Sequence, residues 1–188
     1  SASGQTSWAD YVDTRFFYGL VAATLLIVAV GLVDDLTSMR GHFKLVGQLL
    51  GVCVLIFYGN LEITKFKLMG ATFEFGGSWV AIGCTMFWLL GASNAINLID
   101  GIDGLASSVG FVLCLAVAAL TAYLGNYPAT LIMLAMAGAL FGFLKYNFAP
   151  ASIFLGDAGS MFIGLVVGAV AIHQNLKSAA TLALAVPV

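Results

Sequence analysis

The sequence predicts an all-α polytopic membrane protein: about six transmembrane helices plus the start of a seventh, with a short extramembrane β-hairpin near residues 61–75. Three observations carry this. First, 61% of the 188 residues are hydrophobic and 9% are charged, against about 25% charged in a soluble domain. Second, charge-free apolar runs recur at lengths that cross the hydrocarbon of a bilayer. Third, acidic residues and turn signals punctuate the ends of those runs.

Phe16 to Val33 is 18 residues without a charge, bracketed by Arg15 and Asp34. At 1.5 Å per residue it is about 27 Å long, enough to span. Residues 1–15 are polar and are expected outside the bilayer. Leu45 to Gly59 is the second span. Leu61 to Phe75 alternates loosely, is rich in Thr and Phe, and turns at Met69-Gly70, the pattern of a hairpin or an extended loop. Ser78 to about Ser93 is the third span. Gly104 to Leu144 carries no charge for 41 residues, too long for one crossing. Gly125-Asn126-Tyr127-Pro128 is a turn signal that divides it into two. Ala158 to about Gln174 is the next span, and Thr181 begins another. The polar start and the apolar stop at Val188 read as a piece of a longer membrane protein.

Parity along these spans has a consequence. The first span ends at Asp34, the third returns to that side with Asn94 to Asp103, and the fifth returns with Asp157. All three acidic clusters therefore share one membrane face, and the hairpin and Asn126 share the other. Basic residues do not orient the protein. Arg40, Lys44 and Lys145 lie on the acidic side, and Arg15, Lys65, Lys67 and Lys177 on the other.

Composition also excludes. The net charge is −2 and there is no basic patch, so nucleic acid is not an expected partner. Cys53, Cys84 and Cys114 are scattered through apolar spans without a CxxC pair and read as small hydrophobes.

The acidic residues are the informative ones. An Asp at the centre of a membrane helix costs about 2.5–3.5 kcal/mol, so five at that depth would cost on the order of 12–17 kcal/mol. They must lie at the water interface or surround something that compensates the charge. In NAINLIDGIDGLA, Asn94, Asn97, Asp100 and Asp103 recur every three residues. On a helix they form one polar stripe. Gly101 and Gly104 equally suit a helix end or a reentrant turn. Either way, two carboxylates and two carboxamides converge, hard oxygen ligands of the kind Mg²⁺ takes and hydrogen-bond partners for a polar substrate. In GLVDDL, Asp34 and Asp35 close the first span at a helix C-terminus, where the helix dipole disfavours negative charge. A structural purpose is poorly served there, whereas close like charges raise one pKa and make a general base. In FLGDAGS, Asp157 sits among small residues at a helix start, where it either caps the helix or, with the glycines, admits a phosphate to backbone N–H groups. Lys44, about two turns past the Asp pair, either contacts phosphate or snorkels from a helix end. His42 is a loop bystander, and His173 falls on the opposite face.

These motifs, in this order, resemble the polyprenyl-phosphate N-acetylhexosamine-1-phosphate transferase superfamily, of glycosyltransferase 4 type. The matching pieces are GLVDDL followed by FKLVGQ, then NAINLIDGIDGLA, then FLGDAGSMFIG, covering Phe16 to Gly164. The DGIDG and GSMF spellings look like the undecaprenyl-phosphate GlcNAc-1-phosphate transferase branch, because the phospho-MurNAc-pentapeptide transferase branch usually reads DGLDG and GSLA. The resemblance implies a multi-pass enzyme of the bacterial inner membrane that joins a UDP-N-acetylhexosamine to a polyprenyl phosphate. UMP leaves and a polyprenyl-diphosphate sugar remains for cell-envelope polysaccharide synthesis. It implies Mg²⁺, with Mn²⁺ as a substitute, and a homodimer as an open arrangement. It also implies roles: Asp157 and Asn97 as metal ligands, Lys44 on the diphosphate, Asp103 and Phe154 on the uracil, Asn94 and Asp100 on substrate, and Asp34 and Asp35 as the essential pair with Asp34 the base. On this resemblance, residues 1–188 form one transmembrane catalytic domain lacking spans at both ends, and its acidic face is cytosolic because nucleotide sugars are.

Other readings fit less well. An intramembrane aspartyl protease needs Gly-x-Gly-Asp, and position 154 is Phe. A CDP-alcohol phosphotransferase needs an Arg shortly after its Asp-Gly pair, and none follows Gly104. An ion-coupled transporter would place its carboxylates near mid-membrane. Span counting gives the test: cysteines introduced at Gly41 and Ala151 react with impermeant reagents from one side of the membrane only, and a cysteine at Gly70 from the other. Labelling of 41 and 151 from opposite sides would separate Asp157 from the remaining acids.

Overall fold

The structure is a computed structural model that describes residues 13–63, 65–68, 71–74 and 78–174. Six helices carry the architecture: α1 (Thr14–Thr37), α2 (Gly41–Cys53), α3 (Ser78–Ile99), α4 (Leu105–Tyr123), α5 (Tyr127–Asn147) and α6 (Gly156–His173). A π-helical turn, Val54–Tyr58, prolongs α2. With that turn included, six helical segments are long and apolar enough to cross a membrane. Between the second and third lie two four-residue strands, β1 (Lys65–Leu68) and β2 (Ala71–Glu74), paired antiparallel with Lys65 opposite Glu74. The Met69-Gly70 turn, residues 1–12 and the segment from Thr181 lie outside the described residues.

Two boundaries differ from the sequence expectation, and both bear on the site. α1 runs past Val33 to Thr37, so Asp34 and Asp35 are helical. It stops where Ser38 turns left-handed (φ 50°) and the Ser38 N–H returns to the Asp34 carbonyl at 2.8 Å. α3 does not end at Ser93 but continues to Ile99. Asn94 and Asn97 are therefore part of the helix, because their side chains find partners on α2 and α6 rather than lipid. Asn126 caps α5 as the turn signal implies, accepting from the Ala129 N–H at 3.1 Å, with Pro128 in the first turn where its missing N–H costs nothing.

α6 is the axis of the bundle. From Ser160 to Ile172 every side chain is buried except half-buried Phe162. α6 packs along α1 and α3 and touches α4, while α4 pairs with α5 and α2 lies on α1 and α3. Lipid supplies no hydrophobic drive to bring such helices together, so close backbone approach and interhelical hydrogen bonds must do it. Both are present. A Cβ on Gly164 would lie 2.3 Å from the Ala92 carbonyl oxygen and 2.6 Å from Ser93 Cα; one on Gly31 would lie 2.4 Å from Ala158 Cα. Ser93 Oγ donates to the Met161 carbonyl at 3.0 Å, and the Trp88 indole to that of Gly168 at 3.2 Å. At one end of the bundle Asp13, Asn126 and His173 line a small cavity, with His173 stacked on Phe16 at 4.0 Å. The three acidic motifs meet at the other end, as span parity requires.

The α3–α6 contact predicts a sharp asymmetry between two glycines. Gly164→Ala forces backbone apart and destabilises by about 1–3 kcal/mol. Gly138→Ala, on an exposed face with nothing within 4 Å of the added methyl, is neutral or gains up to about 1 kcal/mol. Thermal unfolding of the two variants in detergent checks this.

Candidate active site

A cavity of about 600 Å³ opens at the acidic end of the bundle. Four stretches of chain line it: Asp34 to Met39 at the end of α1, Asn97 to Asp103 at the end of α3, Asn147 on α5, and Phe154 to Asp157 at the start of α6. All five motif carboxylates, together with Asn97 and Phe154, are thus brought to one place.

Behind its wall lies a cation held by oxygens from three other helices; the residue that carries it, Lys44, is not itself part of the lining. Lys44, in the first turns of α2, places its Nζ 3.1 Å from Asp34 Oδ2, in an ion pair with Asp157, and 3.4 Å from Asn97 Oδ1. Side-chain exposure is 16% for Lys44, 11% for Asp34 and 28% for Asp157. The cluster is shielded enough that each charge depends on its partners. Asn97 completes it, donating from Nδ2 to Asp157 Oδ1 and, at 2.9 Å, to Ser160 Oγ. Ser160 is fully buried and donates to the Gly156 carbonyl at 2.8 Å.

One turn below Lys44, Gln48 exchanges amide hydrogen bonds with Asn94: Gln48 Nε2 to Asn94 Oδ1 at 3.2 Å and Asn94 Nδ2 to Gln48 Oε1 at 3.0 Å. Gln48 is 1% exposed. This reciprocal pair clamps α2 to α3 and fixes Lys44 opposite Asn97. It also occupies Asn94, which does not line the cavity. Sequence reasoning gave Gln48 and Ser160 no role. The available signals were spacing: Gln48 is four residues after Lys44, and Ser160 three after Asp157, one helical turn in each case.

The two residues of the aspartate doublet diverge. Asp34 points to Lys44 and also accepts from the Met39 N–H at 2.7 Å. Asp35 reaches α6, accepting from the Asp157 N–H at 2.9 Å and the Ala158 N–H at 3.3 Å. Asp157 itself is in the first turn of α6 rather than at its cap, and the cap position, Leu155, offers no side-chain hydrogen bond.

The rim is built by the α5–α6 loop. Buried Asn147 accepts from Ser107 Oγ at 2.6 Å and donates to the Ile153 carbonyl at 2.9 Å. Asp103 accepts from the Ala151 N–H at 3.0 Å. Phe154, 72% exposed, presents its ring at the cavity wall. Asp100 lies in the α3–α4 turn with no basic partner among the described residues. Burial, and then the negative charges of Asp157 and Asp35, push its carboxyl up to about 6. His42 is exposed beside Phe43 and is not part of the lining.

The donor set bears on metal binding. Among the described residues, no three His, Cys, Asp or Glu side chains converge closely enough to cage an ion. Two carboxylates and an amide oxygen instead surround one cation, the Lys44 ammonium. Mg²⁺ is characteristically held by one or two carboxylates and completed by substrate phosphates. These residues fit that mode and do not fit an all-protein cage.

Comparison with known proteins places the chain. The model of glycosyl transferase family 4 matches residues 17–175, a stretch that contains every residue of the cavity. The chain belongs to this family. It is 33% identical over 178 residues to a probable undecaprenyl-phosphate N-acetylglucosaminyl 1-phosphate transferase of Bacillus subtilis, covering 95% of this chain and 49% of that protein. It is 39% identical over 169 residues to a phospho-N-acetylmuramoyl-pentapeptide-transferase of Shouchella clausii, 84% of this chain and 52% of the relative. A decaprenyl-phosphate N-acetylglucosaminephosphotransferase of Mycolicibacterium smegmatis is 36% identical over 159 residues, 80% and 39% respectively. The chain spans about half the length, or less, of the curated family-4 relatives it matches.

The raised Asp100 carboxyl gives this family-4 site a pH signature. Below about pH 4 the group is protonated in both folded and unfolded chains. Between about 4 and 6 the unfolded chain has lost the proton and the folded chain retains it, so stability falls as pH rises through that window and levels off above it. Melting temperatures of chelator-treated protein across pH 4–7 should show this slope, and Asp100→Asn should flatten it.

Proposed function

We propose that the intact protein transfers a sugar-1-phosphate, GlcNAc-1-phosphate, from a UDP-amino sugar to a polyprenyl phosphate such as undecaprenyl phosphate. The observation that carries this reading is the Asp34–Lys44–Asp157–Asn97 cluster at the wall of an open cavity at one end of a membrane bundle. There a lipid phosphate and a water-soluble nucleotide can meet. The B. subtilis relative, matched along 95% of this chain, supports the choice of sugar and lipid.

In the proposed reaction an oxygen of the lipid phosphate attacks the β-phosphorus of the UDP-sugar. The bond from that phosphorus to the bridging oxygen of UMP breaks, and UMP leaves with the electron pair. Phosphoryl transfer is mainly a matter of positioning and charge stabilisation, and the residues divide that work. Asp34, at the cavity wall, accepts a proton from the lipid phosphate when that group arrives as the monoanion. Lys44 places its ammonium against the diphosphate. Asp157 and Asn97 would hold Mg²⁺, or Mn²⁺ in its place, whose charge neutralises the diphosphate. Phe154 offers a face on which uracil stacks, and Asp103 has an oxygen not committed to Ala151 for the edge of the base. Because nucleotide sugars are made in the cytosol, the cavity faces the cytosol from the bacterial inner membrane.

The Shouchella relative favours a second donor, UDP-MurNAc-pentapeptide, on the same chemistry. An exchange assay separates the two. Membranes carrying the intact protein should move radiolabelled UMP into UDP-GlcNAc only when polyprenyl phosphate and Mg²⁺ are both present. Exchange into the pentapeptide donor alone would reassign the sugar, and exchange that persists in EDTA would remove the metal from the scheme.

Asp157→Asn should lower this exchange by at least about 100-fold, because a ligand oxygen and the charge facing Lys44 are lost together. The variant should still insert and melt near the parent temperature, since the cap of α6 comes from Asp35 rather than from residue 157 and Lys44 keeps Asp34 as its partner. Normal turnover by the variant would refute the ligand role.

A further inference from the structure

Asp35 and Asp34 are adjacent in sequence, and both line the cavity, yet the contacts of Asp35 are of another kind. Its two oxygens are taken by consecutive backbone amides of α6, those of Asp157 and Ala158. The opening N–H groups of a helix need acceptors from outside the helix. α6 receives none from its own cap residue, Leu155. Asp35 therefore caps α6 from another helix. The backbone is shaped for it. Gly156 adopts φ +67°, and a Cβ there would lie 2.7 Å from Asp35 Oδ2. One turn earlier on α1, Gly31 brings the helix against the same spot, where its own Cβ would meet Ala158 Cα at 2.4 Å and the Asp157 carbonyl carbon at 2.9 Å.

We infer that Asp35 is a positioning residue: it holds the first turn of α6 so that the Asp157 carboxylate meets Lys44 and Asn97, and it neither takes a proton nor binds the metal. The inference rests on the transferase reading only for its kinetic consequence, since the cap itself needs no substrate. The doublet then divides its labour, Asp34 toward the reacting groups and Asp35 toward the backbone that carries Asp157. Asp35 is exposed, so the cap adds little to folding, and its loss should shift geometry more than it unfolds the protein.

The test compares Asp35→Asn, Asp35→Ala and Gly156→Ala in the intact protein in detergent. Asn keeps one acceptor oxygen and removes the charge. Ala removes both. Gly156→Ala keeps the charge but displaces the carboxylate. Hydrogen exchange at the Asp157 and Ala158 amides should be about five- to tenfold faster in Asp35→Ala and Gly156→Ala than in the parent, with Asp35→Asn between. UMP exchange should fall on the order of 100-fold in the first two by misplacement of Asp157. It should fall clearly less in Asp35→Asn than in Asp35→Ala, with the pH profile unmoved. Unchanged amide exchange in Asp35→Ala would overturn the inference. So would an Asp35→Asn protein as inactive as Asp35→Ala with its α6 amides still protected, because the charge itself would then be what matters. A parent protein without any UMP exchange would refute the transferase reading alone, and the amide measurements would still decide the cap. Should Asp35→Ala fail to insert, Gly156→Ala carries both readouts.

Discussion

The ammonium of Lys44 is what allows the acidic end of this bundle to exist. Asp34 arrives on α1, Asn97 on α3 and Asp157 on α6, and each reaches the same nitrogen of α2. Without that cation two shielded carboxylates would face each other at the end of membrane helices, where unpaired charge is costly. With it, four helices share one electrostatic centre. The arrangement is also directional. The Gln48–Asn94 amide pair one turn below fixes the register of α2 against α3, so Lys44 has little freedom to leave its partners.

That centre requires a rigid frame, and the apolar part of α6 supplies it. Small residues let α6 approach α1 and α3 at backbone distance, and hydroxyl and indole donors pin it to carbonyls. Along α6 the same helix changes task. Its first turn holds Asp157 and Ser160, which present polar groups to the cavity and to Asn97. The rest is almost completely buried. The helix that carries Asp157 is therefore also deeply buried, which is the condition for a preorganised site.

Much of this was legible in the sequence, and the reason is lipid. Charge-free runs of membrane length mark the spans directly, and parity then puts the acids on one face without any knowledge of packing. Of the evenly spaced Asn94, Asn97, Asp100 and Asp103, the last three line the cavity, the aspartates from the turn beyond α3, and Asn94 does not. Asn94 turns to Gln48 because α2 happens to lie there, a tertiary fact with no local signature. α1 and α3 outrun the boundaries that their sequences suggest for the same reason. Polar residues look like the end of a span in isolation, whereas Asp34 and Asn97 continue their helices because neighbouring helices satisfy them. In isolation, Asp157 among small residues at a helix start suggests a self-cap. The structure gives that task to Asp35, 122 residues away in sequence, which no local pattern could disclose.

The charge balance of the cavity finally argues for what the proposed reaction must bring with it. Five carboxylates are gathered there against the ammonium of Lys44, and that ammonium is already shared between Asp34 and Asp157. Asp100 registers part of this excess: burial first, and then the charges of Asp157 and Asp35, push its carboxyl up to about 6. A diphosphate entering this field is repelled unless positive charge enters too. A divalent cation shared between Asp157, Asn97 and the substrate would lower the repulsion on both sides at once, by neutralising phosphate and by relieving the acids. In this reading the acidic cavity is selective because it is acidic. Under the proposed reaction it would reject the bare anion and admit the anion with its metal, so that donor binding and metal binding would become one event.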